Sequence, residues 1–158
     1  MDKIVILHYF FFCSICFFVI IHLMKKLVVD ATIENTSNVL SFIDEELERL
    51  DCNLIAKTKL DVAVDEIFSN IANYAYEGKG GKATIAIDYV KDDNKVIIKF
   101  VDEGVPYNPL EKEDPDITLP IEKRVIGGLG ILIVKKSMDN VTYEYKDNKN
   151  ILILEKII

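Results

Sequence analysis

Residues 84–102, TIAIDYVKDDNKVIIKFVD, carry the strongest local signal for the architecture of this chain. Val, Ile, Tyr and Phe dominate both halves of the stretch, and these β-branched and aromatic residues favour strands. The turn-forming run Asp92-Asp93-Asn94 separates the two halves. We therefore predict a β-hairpin of residues 84–90 and 95–102, with Asp102 at the end of its second strand.

Helices and a second hairpin flank this central hairpin. The predicted elements are a strand over 27–32, helices over 36–50, 54–76 and 128–137, and a closing hairpin over 141–146 and 151–156. In the first helix, which Asn35 and Thr36 could cap, apolar residues recur at helical spacing. Hairpins separated by helices predict an α+β fold: a two-layer sandwich of a mostly antiparallel, mixed sheet with helices on one face.

Composition limits the kinds of partner. The 158 residues, 50% of them hydrophobic, suit one domain with a real core. A net charge of −7 argues against a nucleic-acid surface, which needs clustered Lys and Arg.

Cys13 and Cys16 form a C-x-x-C without a second ligand pair, so we predict no zinc site. The odd number of cysteines suits a reducing compartment.

Residues 1–23 differ in character from the rest of the chain. All but two of the residues from 4 to 21 are apolar, and the run would span about 27 Å as a helix, which is marginal for a membrane. One interpretation is a start codon assigned too early, with Met24 opening the domain. The other is a membrane anchor, which Lys25-Lys26 would orient with the domain in the cytoplasm. Both predict a cytoplasmic domain over 24–158.

Four polar residues of the second predicted helix fall in one narrow stripe. They are Glu66, Asn70, Asn73 and Glu77, and steps of four and seven residues nearly close a helical turn. One ligand could contact all of them. A polar arc is also typical of any surface helix, so the helix alone leaves both interpretations open.

Two further groups of residues have the chemistry of a binding site. Asp102 ends a strand and Gly104 would allow close approach of a planar ring, although both are also typical of a turn. Gly127, Gly128 and Gly130 precede an apolar helix and would expose backbone N–H groups to an anion, although a simple loop-to-helix junction has the same pattern. No complete dinucleotide fingerprint and no P-loop sequence occurs.

Three segments in a fixed order resemble the GHKL ATPase superfamily, and within it the bacterial anti-sigma-factor serine kinases. They are residues 63–76, AVDEIFSNIANYAY; residues 102–109, DEGVPYNP; and residues 127–131, GGLGI. The resemblance extends over residues 24–158. It implies an α/β sandwich of the GHKL ATPase type.

The resemblance also implies a site for ATP and Mg²⁺. Glu66 matches the general base of the family and Asn70 its Mg²⁺ ligand. Asp102 matches the carboxylate that accepts a hydrogen bond from the adenine amino group, and Gly104 would lie beneath the ring. The residues expected around the nucleotide are Asn70, Asn73, Asp102, Gly104, Pro106, Gly127, Gly128, Leu129 and Gly130, under a lid over residues 108–126.

A protein serine kinase is the function that this resemblance implies. It would transfer the γ-phosphate of ATP to a serine of an anti-anti-sigma (STAS) partner, sequester a sigma factor and form a homodimer. A histidine kinase is excluded, because the two histidines, His8 and His22, both lie in the apolar segment. The alternative is a nucleotide-gated binding module without kinase activity, since the acidic lid carries only Lys112, Lys123 and Arg124 as phosphate partners. We expect no nucleic-acid partner, and a membrane only if residues 1–23 are an anchor.

Overall fold

A computed structural model describes residues 24–111, 113–115 and 128–158. The strands are β1 (Lys25–Asp30), β2 (Lys82–Val90), β3 (Lys95–Asp102), β4 (Asn140–Lys146) and β5 (Lys149–Ile157). The helices are α1 (Thr36–Arg49), α2 (Leu54–Asn70) and α3 (Leu129–Ser137). The predicted N-terminal segment, Gly127 and most of the predicted lid lie outside the described residues.

One five-stranded sheet, in the order β1-β2-β3-β5-β4, forms the first layer. The predicted central hairpin is β2 and β3, and the predicted closing hairpin is β4 and β5. The α+β class is confirmed. All four strand pairs among the described residues are antiparallel, so the sheet described here is not mixed.

The helices cover one face of the sheet, and the core lies between the two layers. In β3 every second residue is buried, and Val96, Ile98 and Phe100 point into this core. Phe68 of α2 and Ile43 of α1 are fully buried in the same cluster. The alternation in the strands and the helical spacing in α1 and α2 therefore meet in one hydrophobic interior.

The C-terminal end of the second helix differs from the prediction. The α-helix ends at Asn70, and a π-helical turn, Ile71–Ala75, follows where we predicted α-helix as far as residue 76. At the end of this turn, the carbonyl of Ala75 accepts a hydrogen bond from Val105 N at 2.8 Å. Such turns are rare inside helices and are frequent at functional sites.

Helix capping also differs from the prediction. Asn35 makes no side-chain capping hydrogen bond to α1, and its Nδ2 instead donates to the carbonyl of Asp30 at 3.0 Å. In α2 the cap is clear, because Asn53 Oδ1 accepts from Ala56 N at 2.9 Å. The oxygen that was expected to cap α1, Asn35 Oδ1, accepts a hydrogen bond from the side-chain amide of Asn38 at 2.9 Å instead.

A two-residue turn sets the register of the closing hairpin. Asp147 and Asn148 both have positive φ, 52° and 59°, which is the conformation of a type I′ turn. Asn and Asp tolerate this conformation better than most residues. Lys146 then pairs with Lys149, and Asn150 falls directly opposite Asp102 of the central strand.

In the part of the chain that the structure describes, no helix combines the length and hydrophobicity needed to cross a membrane.

Candidate functional site

A cavity of about 530 Å³ opens where α2, the start of α3 and the ends of the central strands meet. Its volume lies in the range of ordinary small-molecule sites. Five of the residues predicted for the site line it: Glu66, Asn70, Asp102, Pro106 and Gly128. Three segments that are far apart in sequence thus contribute to one concave surface.

Glu66 and Asn70 lie one turn apart on α2 and are joined by hydrogen bonds. Asn70 Nδ2 donates to the Glu66 carboxylate at 2.6 Å and to the Glu66 carbonyl at 2.7 Å. Among the described residues no hydrogen bond to Asn70 Oδ1 is found, so this amide oxygen remains available as a ligand. One amide oxygen beside one carboxylate suits Mg²⁺, which takes few protein ligands when a phosphate supplies the rest.

The first turn of α3 lies against Glu66. A Cβ atom added at Gly130 would overlap the Glu66 carboxylate, so only glycine leaves room for it there. Gly128, with φ of 88°, precedes the helix and brings its first turn to the cavity. Its N-cap residue, Gly128, has no side chain that could cap the helix. Its N-terminal N–H groups and dipole favour a negatively charged ligand.

Asp102 is a buried carboxylate that lines the cavity. Its Oδ1 accepts hydrogen bonds from Asn150 Nδ2 and from Gly104 N, both at 2.9 Å. Burial raises the pKa of Asp102 above its ordinary value, and the hydrogen bonds from Asn150 and Gly104 oppose this effect. Among the described residues no hydrogen bond to Oδ2 is found, so this oxygen can accept one from a ligand.

The loop after β3 is packed tightly on the π-helical turn. A Cβ atom at Gly104 would overlap the Ala75 carbonyl, which the Val105 N–H group already contacts. The Tyr76 hydroxyl bridges the same region, since it accepts from Glu103 N at 2.9 Å and donates to the carbonyl of Lys82 at 2.5 Å. These hydrogen bonds fix the loop after β3 against the segment that ends α2.

Not all of the predicted site residues line the cavity. Asn73 is exposed in the π-helical turn, and its neighbour Tyr74 lines the cavity instead. Gly104 and Gly130 support it from behind through Ala75 and Glu66. Leu129 is 51% exposed and is not among the described lining residues. Gly127 lies outside the described residues.

Sequence reasoning missed several lining residues. Asn150, Tyr143 and Leu152 come from the closing hairpin, which carried no motif. Tyr107 lies within one of the quoted segments, as Tyr74 does, but no role was assigned to either tyrosine. Asn150 could have been found only from its pairing with Asp102 across β3 and β5, and that pairing depends on strand order and register.

Comparison with known families decides what kind of domain this is. The model of the histidine kinase-like ATPase domain matches residues 29–156. The chain belongs to this family. The GHKL resemblance of the three segments is therefore confirmed at the level of the family.

Two curated relatives of this histidine kinase-like ATPase domain are similar over most of their length. An anti-sigma F factor of Clostridium acetobutylicum is 28% identical over 116 residues, which are 73% of this chain and 75% of that protein. The serine-protein kinase RsbW of Bacillus thuringiensis is 25% identical over 134 residues, 82% of this chain and 76% of that protein.

The fold of this histidine kinase-like ATPase domain also has a solved counterpart. The crystal structure of the RsbU and RsbW domains of a Mycobacterium tuberculosis protein matches with a TM-score of 0.54 and 15% sequence identity. The match covers 84% of this chain but only 32% of the other. At this identity the likeness concerns the fold alone.

Proposed function

We propose that this domain is an ATP-dependent protein serine kinase that phosphorylates an anti-anti-sigma (STAS) protein and sequesters a sigma factor. The observation that carries the proposal is the meeting of Glu66, Asn70 and Asp102 in one cavity of a histidine kinase-like ATPase domain. Relatives named anti-sigma F factor and serine-protein kinase RsbW support the choice of substrate and partner.

The cavity suits an adenine nucleotide. Asp102 Oδ2 would accept a hydrogen bond from the adenine amino group, while Phe100, Ile131 and Leu152 provide apolar walls for the ring. The N-terminus of α3, beginning at Gly128, would meet the phosphates with its N–H groups. The polar contact to the base and the anion site then lie at different parts of one cavity.

Phosphoryl transfer assigns different tasks to the two polar residues of α2. Asn70 would hold Mg²⁺ through Oδ1, and the ion would neutralise charge on the phosphates. Glu66 would accept the proton of the attacking serine hydroxyl. Because Asn70 Nδ2 donates to the Glu66 carboxylate, the amide also orients the base.

Transfer of labelled phosphate tests the kinase. The chain is incubated with Mg²⁺, γ-labelled ATP and a STAS protein whose serine is present or replaced by alanine. We expect Glu66→Gln to retain ATP binding and to lose about 10²-fold or more in transfer, the usual contribution of a general base. Asp65→Asn is the matched control, because Asp65 is the neighbouring carboxylate on α2 and is exposed. Normal transfer by Glu66→Gln would remove Glu66 from the mechanism.

A nucleotide-gated binding module without kinase activity is the second candidate. It is favoured by one observation: no Lys or Arg is among the described residues that line the cavity, although a transferred phosphoryl group needs positive charge. The same assay separates the two functions. ATP-dependent capture of the partner without incorporation of label would support the binding module.

The assembly and location of the domain are further parts of the proposal. We infer a homodimer that acts in the cytoplasm, in keeping with the family resemblance and the odd number of cysteines. Light scattering of the purified chain would give its mass, with a monomer at all concentrations contradicting the dimer. Fractionation of cells would show whether the native protein is tethered to a membrane.

A further inference from the structure

Asp102 and Asn150 are the buried polar side chains of the described part of the chain, with 5% and 7% of their surface exposed. They lie opposite each other on β3 and β5, and Asn150 Nδ2 donates to Asp102 Oδ1 at 2.9 Å. Buried polar groups are costly unless they are paired, so this contact is part of the structure of the cavity.

Two backbone groups determine which way the Asn150 amide points. Its Nδ2 donates to the carbonyl of Val105 at 3.0 Å, and its Oδ1 accepts from Tyr107 N at 3.1 Å. A carbonyl can only accept and a backbone N–H can only donate, so the reverse orientation would break both bonds. The Tyr143 hydroxyl, 2.6 Å from Oδ1, adds a third contact.

This orientation constrains Asp102. Because Asn150 must present an N–H group, and Gly104 presents another, Asp102 Oδ1 accepts from both. Both hydrogen bonds lower the pKa of Asp102 and favour the ionised carboxylate, whose Oδ2 can only accept. Among the described residues, the other titratable groups that interact with Asp102 are Tyr76, which follows the π-helical turn, and Tyr143 on β4, and neither supplies a positive charge. Within this part of the chain, two N–H donors rather than a cation therefore stabilise the buried carboxylate.

We propose that Asn150 is a positioning residue that holds Asp102 as a hydrogen-bond acceptor toward the base, and so makes the site select a 6-amino purine over a 6-oxo purine. An ionised carboxylate accepts from an amino group and repels a carbonyl oxygen, whereas a protonated one donates to a carbonyl oxygen. The inference rests on the proposed nucleotide-binding function and names the residue behind its base selectivity.

Titration of the full chain with ATP and with ITP, which carries a 6-oxo group, tests the inference. We compare the wild type with Asn150→Ala and with Asn150→Leu, which is similar in size and has no N–H group to donate to Asp102. Asn148→Asp is the matched control, since Asn148 is exposed in the turn of the same hairpin. We expect the ratio of ATP to ITP affinity to fall about tenfold or more in both Asn150 variants and to stay unchanged in the control.

The pH profile separates positioning from a general loss of structure. The hydrogen bond from Asn150 lowers the pKa of Asp102, so its removal should shift the loss of ATP binding on acidification to higher pH. Thermal unfolding of each variant is measured alongside. In the wild type, NMR should show the Asn150 side-chain amide titrating together with the Asp102 carboxyl carbon, and this arm needs no variant.

The outcomes distinguish this inference from the proposed function. ATP binding by the wild type with an unchanged ATP to ITP ratio and pH profile in folded Asn150 variants would overturn the inference and leave the proposed function in place. An Asn150 amide that does not respond to the Asp102 titration would overturn it equally. Absence of ATP binding by the wild type would overturn both.

Discussion

Replacement of Gly130 by alanine should separate stability from phosphoryl transfer. Gly130 lies in the first turn of α3 without a positive φ, so alanine fits its backbone. The added Cβ would overlap the Glu66 carboxylate, which is the far end of a flexible side chain and can rotate away. That rotation displaces the proposed general base and breaks its hydrogen bond with Asn70.

The expected change in stability of Gly130→Ala is small because two effects oppose each other. Alanine is favoured over glycine within a helix by about 0.5–1 kcal/mol. Loss of the hydrogen bond between Glu66 and Asn70 costs about 0.5–1.5 kcal/mol. The free energy of unfolding should therefore change by less than about 1 kcal/mol, whereas transfer should fall by about 10²-fold or more as the base leaves its position.

Gly104→Ala is the matched comparison, since it adds the same methyl group in the same site. There the Cβ would overlap the backbone carbonyl of Ala75, which cannot rotate away. Overpacking and the loss of the Val105–Ala75 hydrogen bond together predict a destabilisation of about 2–4 kcal/mol.

Urea unfolding and labelled-phosphate transfer, run on both variants, measure the two effects. Normal transfer by Gly130→Ala, or a loss of more than about 3 kcal/mol in its unfolding free energy, would refute the reasoning. Equal stability of the two variants would refute the distinction between a flexible side chain and a rigid carbonyl.

Two further predictions concern stability alone. Burial and the neighbouring Asp44 raise the pKa of Asp61 to about 6, so the folded state binds a proton that the unfolded state releases near pH 4. The free energy of unfolding should therefore fall as pH rises from about 4 to 6, and Asp61→Asn should remove this slope. The variant should stabilise the domain at pH 7 by no more than about 1 kcal/mol, since the carboxyl group is partly solvated and Lys57 lies nearby. Unfolding curves of the variant that keep the same pH slope would contradict this prediction. Asn53→Ala should lose the cap of α2 and destabilise the domain by about 1 kcal/mol in urea unfolding. An unchanged free energy of unfolding would contradict the capping assignment.

Local patterns in the sequence were sufficient for the elements of the fold. The run from 84 to 102 is rich in Val, Ile, Tyr and Phe around a turn, and β2 and β3 follow the predicted hairpin closely, with regular alternation of burial in β3. Val39, Ile43 and Leu47 recur at helical spacing and are fully buried in α1. These predictions succeed because burial on one face imposes a period on each element independently of its partners.

Element ends were less predictable. A π-helical turn follows Asn70 in place of the predicted α-helical turn, and the Ala75 carbonyl at its end bonds to the loop after β3. Asn35 Oδ1 accepts from the side-chain amide of Asn38 rather than from a backbone N–H group of α1. In both places the structure contains a hydrogen bond that the local sequence pattern did not predict.

In the candidate site, too, some residues could be predicted from local sequence and others only from the tertiary structure. Glu66, Asn70 and Asp102 could be named from the sequence because each lies in a segment whose order and spacing are typical of a known family. Asn150 could not, because its contact with Asp102 exists only once β5 has paired with β3 in the observed register. Residue types and periods are local properties that the sequence records directly. The partner of a buried carboxylate is set by strand order and register, which arise only when the whole sheet has assembled.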